Sequence, residues 1–133
     1  MEETLECDAE DRTRGRELRL RRAQAQMLTQ IDRPCRLSQL AEAASCSERS
    51  LQLAFREAYG VGPVAWFRVM RLNEAHRELR DRGSSDTRIA EVAMRWGFSH
   101  LGRFSIEYRK FFGETPSQTL RYSLTCRSKA HVS

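Results

Sequence analysis

An all-α fold is predicted, and three observations predict it. Apolar residues recur at helical spacing along most of the chain, with no stretch of period-two alternation to argue for a strand. The punctuation Gly-x-x-Pro-x-x-x-x-Arg occurs twice, as GVGPVAWFR from Gly60 and GETPSQTLR from Gly113. A glycine just past a helix end enters the left-handed region without strain, and a proline in the first turn of the next helix forfeits no hydrogen bond. Each copy therefore means that one helix stops, the chain turns, and another starts. Between these marks, short helical runs end in Ser, Gly or Pro at the intervals of a small helical domain.

In order along the chain, residues 1–16 are polar and patternless and read as a flexible tail. From Glu17 the run ELRLRRAQAQMLTQI sets Leu18, Leu20, Ala23, Met27, Leu28 and Ile31 at helical spacing. Pro34 disfavours helix at Arg33 and ends it. A short helix follows in LSQLAEAAS, with Leu37, Leu40, Ala41 and Ala44 on one side. Ser47 is a good N-cap for a third helix reaching Tyr59. From Pro63 to Arg82 nothing breaks the helix, and Gly83 closes it. SSDT supplies a loop and an N-cap before RIAEVAMRW. After a Gly-Phe turn, Ser99 caps a helix from His100 to Phe112. Pro116 opens a last short helix ending near Leu124, and residues 125–133 read as a tail. The domain plan is a tail (1–16), a first helical subdomain (17–62), a linker helix (63–83), a second subdomain (84–124) and a tail (125–133).

Length suits one compact unit, and no segment approaches the roughly 18 apolar residues of a membrane span. No charged-then-apolar leader opens the chain, so a cytoplasmic location is expected. The four cysteines, Cys7, Cys35, Cys46 and Cys126, lie far apart without metal-ligand spacing, so neither metal nor cofactor is expected. No Ser/His/Asp or Cys/His arrangement and no phosphate-binding glycine loop is present, which argues against an enzyme. His76, beside Ala75 and Leu79 in the long helix, reads as a packing residue.

Charge is uneven. Against 23 bases stand 18 acids, six of which fall within residues 2–11, so the remainder is strongly basic. Only Lys110 and Lys129 are lysine; the other bases are arginine, whose planar fork suits phosphate and guanine edges.

The repeat extends beyond its punctuation. Ala41 matches Ala93, Ser45 matches Gly97 and Ser47 matches Ser99 at an offset of 52; Leu51 matches Phe104, Phe55 matches Tyr108 and Arg56 matches Arg109 at 53. The second copy thus holds one extra residue, expected at the start of its second helix. Short helix, tight turn and longer helix is the plan of a helix-turn-helix, here written twice. In that plan the second helix enters the major groove with its early residues nearest the bases. Leu51, Ala54, Phe55 and Ala58 fall on the core side of the third helix, which leaves Arg49, Gln52, Leu53 and Arg56 facing out. In the helix from His100, the core side is Leu101, Phe104, Tyr108 and Phe111. Its outward side is Gly102, Arg103, Ile106, Arg109 and Lys110.

Double-stranded DNA is the partner these faces suit. Arg49 and Arg103 can span guanine O6 and N7, and Gln52 can pair with adenine. Arg56, Arg109 and Lys110, further along, suit phosphates. Leu53 and Ile106 hold equivalent places and suit thymine methyls. Ser47 and Ser99 can offer donors to phosphate, His100 a phosphate or base contact, and Ser50 and Ser105 complete the candidate set.

The stretch WGFSHLGRFSIEYRKFFGETPSQTLR, the S-x-R-x-L of Ser47–Leu51 with Phe55, and RLNEA at Arg71–Ala75 resemble the DNA-binding domain of AraC/XylS-type transcription regulators over about residues 17–124. Leu53 and Ser45 depart from that family's pattern, which often has a polar or basic residue and a glycine there. The resemblance implies two helix-turn-helix units, promoter binding and, in many members, activation through RNA polymerase. Members usually carry a sensor or dimerisation domain for which this chain leaves no room, so a monomer is expected. The rival reading is a helical protein-interaction module, or a truncated regulator that binds DNA weakly, its basic face masked by the acidic N-terminus.

Overall fold

The computed structural model describes the backbone of residues 2–132 and the side chains of residues 12–126. Within them lie seven helices: α1 (Glu2–Thr29), α2 (Leu37–Ala43), α3 (Glu48–Tyr59), α4 (Pro63–Asp81), α5 (Ile89–Arg95), α6 (Leu101–Phe112) and α7 (Pro116–Val132). The all-α class is as expected, and no strand occurs among the described residues. Both terminal helices run further than apolar spacing indicates. α1 takes in the stretch read as a tail, and α7 continues past Leu124. Apolar periodicity reports only helix with a buried face; the N-terminal stretch is instead rich in Glu and Arg, has no Pro, and concentrates acids where a helix N-terminus favours them.

The glycine–proline punctuation does what its chemistry predicts. Gly60 and Gly113 close α3 and α6 in the left-handed region, at φ 78° and 77°, and each returns its N–H to a carbonyl four residues back. Pro63 and Pro116 then occupy the first helical position of α4 and α7. At α7 a reciprocal capping box completes the start: the Thr115 N–H donates to Gln118 Oε1 (2.8 Å), and the Gln118 N–H donates to Thr115 Oγ1 (3.2 Å).

The chain divides into two compact units, residues 1–30 with 34–68 and residues 31–33 with 69–133, so that the boundary falls inside α4. The repeat explains this position. Leu20, Ala23 and Met27 of α1 are buried, and so are Leu72, Ala75 and Leu79, which stand 52 residues later in α4. α4 therefore has two roles. Its first turns close the first unit, where Trp66 packs edge-on against Phe55 at 5.8 Å between ring centroids. Its later turns open the second unit as α1 opens the first. In the first unit the core is completed by Leu40, Ala41 and Ala44 of α2 and by Leu51, Ala54 and Phe55 of α3. In the second, Val92, Ala93, Phe98, Phe104 and Tyr108 complete it.

Three residues assigned to the core side lie outside it. Ala58, Leu101 and Phe111 are exposed, the last two by 45% and 49%. Packing follows an i, i+4, i+8 ridge rather than a fixed angular sector. Leu51 and Phe55 form it in α3, with the exposed Tyr59 leaning on Phe55 at its end, and Phe104, Tyr108 and Phe112 form it in α6, each row drifting round its helix.

Ser45 and Gly97, matched in the two copies, both adopt positive φ, 55° and 86°. An L side chain pays about 1–2 kcal/mol there. Ser45→Gly is expected to stabilise the chain by about 0.5 kcal/mol, relief of strain slightly exceeding the entropy glycine adds to the unfolded state. Gly97→Ser is expected to cost about 2–3 kcal/mol, because a Cβ there would stand 2.7 Å from the Ile31 carbonyl oxygen and 3.1 Å from the Arg71 guanidinium carbon. Urea unfolding of the two variants checks both signs.

Candidate nucleic-acid interface

Each unit presents a short helix, a tight turn and a 12-residue helix. The turns begin alike: the Cys46 N–H donates to the Ala41 carbonyl (3.1 Å), and the Phe98 N–H donates to the Ala93 carbonyl (2.8 Å). They then differ, since Ser47 alone separates Cys46 from α3 whereas Ser99 and His100 separate Phe98 from α6. The extra residue thus belongs to the turn, not to the start of the helix.

This shift alters the caps. Ser47 caps α3 as expected, its Oγ accepting the Ser50 N–H at 3.1 Å, and its hydroxyl donates to Ser50 Oγ at 2.9 Å. Ser99 does not cap α6. The N-cap position falls to His100, which makes no side-chain cap bond. Nor does the SSDT loop cap α5: Thr87 Oγ1 accepts the Ser84 N–H at 2.8 Å and closes its own turn, while Arg88 takes the N-cap position without a side-chain bond.

On α3, Ser47, Arg49, Leu53 and Arg56 are exposed, with Ser50 and Gln52 half-buried. At the second site, Ser99, His100, Gly102, Arg103, Ile106, Arg109 and Lys110 are exposed, with Ser105 half-buried. Within each unit the candidates share the face opposite the buried ridge. Leu53 and Ile106, equivalent in the repeat, are 50% and 59% exposed. At Gly102 a Cβ would meet nothing within 4 Å, so the backbone of the first turn of α6 is open to close approach.

Polar contacts, among which the Tyr108–Thr119 bond is buried, support α5, α6 and the turn between them. Arg71 donates to the Arg33 carbonyl and lies beneath the turn at Gly97. Glu78 ion-pairs with Arg95 and accepts the Trp96 indole N–H at 3.1 Å, fixing the end of α5. His76 stacks on Phe112 with centroids 4.2 Å apart and sits 2.7 Å from the Tyr108 hydroxyl. Tyr108 donates to Thr119 Oγ1 (2.7 Å), which donates in turn to the Glu114 carboxylate (2.8 Å). Because the carboxylate only accepts, the chain runs one way and His76 is the donor at Nδ1. Burial, with Arg80 nearby, lowers the His76 pKa; burial raises that of Tyr108 to about 12. His76 is a packing residue.

Sequence reasoning missed Arg12, Arg16 and Arg19 of α1, which border Ser50 and Leu53 of α3. Their spacing of four and then three was the available signal, hidden by reading residues 1–16 as a tail. Among the described residues no cluster of His, Cys, Asp and Glu is arranged to hold a metal, and no helix is long and apolar enough to cross a membrane.

A helix-turn-helix domain family matches residues 40–122. The XylDLEGF operon transcriptional activator of Pseudomonas putida is 41% identical over 91 residues, 68% of this chain but 28% of the activator. The chain therefore spans little more than a quarter of that relative. A crystal structure of a probable AraC family transcriptional regulator from Rhodopseudomonas palustris superposes with a TM-score of 0.68 at 33% identity, covering 80% of this chain and 97% of that one. The DNA-binding domain of AdpA, a global transcriptional factor solved with a target DNA, superposes with a TM-score of 0.65 at 27% identity over 75% of this chain and 87% of that one. With two helix-turn-helix units, their matched faces and these relatives together, the chain belongs to the AraC/XylS-type family of DNA-binding transcription-regulator domains.

Proposed function

We propose that this chain binds double-stranded DNA sequence-specifically, as a monomer in the cytoplasm, with α3 and α6 in successive major grooves of a promoter site. The observation that carries the reading is the duplicated exposed face: Leu53 and Ile106 at equivalent positions, each flanked by arginines. One such face would be an ordinary helix surface; two behind matched turns suit a duplex read twice. AdpA's solved complex with DNA and the P. putida relative's role as an operon activator support the same reading. Activation through RNA polymerase is the extension that relative suggests.

Arg49 and Arg103 take guanine, Gln52 adenine, and Arg56, Arg109 and Lys110 phosphate. Since the Ser47 hydroxyl proton is directed to Ser50, Ser50 is the better phosphate donor of that pair. The start of α6, without a side-chain cap and with Gly102 beside it, offers backbone N–H groups to a phosphate.

Selection from a random duplex pool supplies the site. Replacing its key thymine by uracil is expected to weaken binding by about 1 kcal/mol, and Leu53→Ala to make the first half-site indifferent to that change. Binding by the wild type that ignores uracil at every position removes the methyl contact. Failure to shift even random duplex in low salt removes the DNA reading and favours a protein-interaction module.

A further inference from the structure

The first unit carries a groove of about 450 Å³ between α1 and α3, with Arg12, Arg16 and Arg19 on one wall and Ser50, Leu53 and Glu57 on the other. The three arginines fall on one flank of α1, beside the buried row that begins at Leu20. Arg16 is paired with Glu57 at 2.9 Å. Arg12 and Arg19 are exposed and leave the groove with surplus positive charge. From Arg12 to Arg19 is seven residues, about 10 Å along the helix, a span longer than the distance between neighbouring phosphates of one strand.

We infer that this groove seats the DNA backbone strand flanking α3, so that α1 is a second phosphate-binding element of the first unit. The inference rests on the DNA reading above, and it adds a partner surface outside both helix-turn-helix motifs. A helix lying in a major groove has a phosphate strand on each side, and an element packed alongside it meets one of them. The groove is bounded by Ser50 and Leu53, which belong to the reading face itself, so a strand beside that face runs onto the arginines. Its guanidinium groups and the hydroxyls of Thr13 and Ser50 match phosphate oxygens. Among the described residues lining the groove Glu57 is the one opposing charge, and it pairs with Arg16.

The test uses the full chain, the duplex selected by the wild type, and a random-sequence duplex. Arg12→Gln with Arg19→Gln leaves the Arg16–Glu57 pair intact. The magnitude of the slope of log K against log salt is expected to fall by about two, roughly 0.9 for each phosphate no longer neutralised. Affinity at 0.1 M salt should fall by on the order of tenfold or more on both duplexes, leaving their ratio unchanged. Glu57→Gln releases Arg16 and should raise the slope magnitude by about one with tighter binding, a gain that misfolding cannot produce. Unchanged slopes in both variants, with specific binding intact, overturn the inference and give the groove to something other than DNA. A wild type with no specific site at all overturns the reading beneath it as well.

Discussion

Inserting five base pairs between the two half-sites of the selected duplex is expected to lower specific affinity on the order of a thousandfold, towards that of one motif alone. The reason lies in α4. Its 19 residues span about 28 Å at 1.5 Å each, close to the roughly 34 Å of one helical turn of DNA. After Pro63 it contains no Gly or Pro, and sharp bends need such a cause. The first turns of this helix belong to one unit and its later turns to the other. We therefore expect a single asymmetric site of about 20 base pairs, with half-sites about 10 apart and one chain bound. Half a turn of added DNA carries the second half-site to the far side of the duplex, which two units kept at a fixed spacing by this helix would not reach. A flexible tether would tolerate the insertion, and a symmetric dimer of single motifs would require two chains per site. Affinity and stoichiometry on the spaced and unspaced duplexes separate these cases, and equal affinity on both rules out the stiff bipartite arrangement.

The duplication was legible because its marks are local chemistry. Gly60, Gly113, Pro63, Pro116 and the Ser47 cap each follow from what one residue can do with its own backbone, and all five act as read. The exposed candidates were legible because the buried residues opposite them repeat in register. What stayed hidden depends on neighbours. Whether Ser99 or His100 holds the cap depends on where the extra turn residue is absorbed, and one residue decides it. Phe111 and Phe112 are adjacent and alike; only the presence of His76 and Tyr108 on one side makes Phe112 the packed one. The double role of α4 could have been seen by setting Leu20, Ala23 and Met27 over Leu72, Ala75 and Leu79, but breaker residues alone mark it as a linker. Nor does Tyr108 announce its partners, since Thr119 and Glu114 come from beyond the end of α6.

Tyr108 is where the largest loss of stability is expected. It is fully buried, joins α4, α6 and α7 through its hydroxyl, and packs its ring at a tilt against Phe104, Phe112 and His76. Tyr108→Ala removes both the ring and the relay and should cost about 3–5 kcal/mol. Tyr108→Phe keeps the ring, so its cost isolates the hydroxyl: about 1–2 kcal/mol, because the His76 N–H loses its acceptor while Thr119 still donates to Glu114. Burial of these same two groups makes the stability of the second unit depend on pH. The folded pKa of His76 lies below the ordinary 6.5, so the unfolded chain binds the proton more readily. That contribution to stability is complete above pH 6.5 and is lost as pH falls through the folded value. Tyr108, raised from 10.0 to about 12, acts in the opposite direction: its contribution is complete below pH 10 and is lost as pH rises towards 12. Urea unfolding across this range should show Tyr108→Phe losing the alkaline fall while the acid one survives, since His76 remains buried against Phe112. If Tyr108→Phe matches the wild type in midpoint and in both pH limbs, the hydroxyl contributes nothing and the relay is only a packing coincidence.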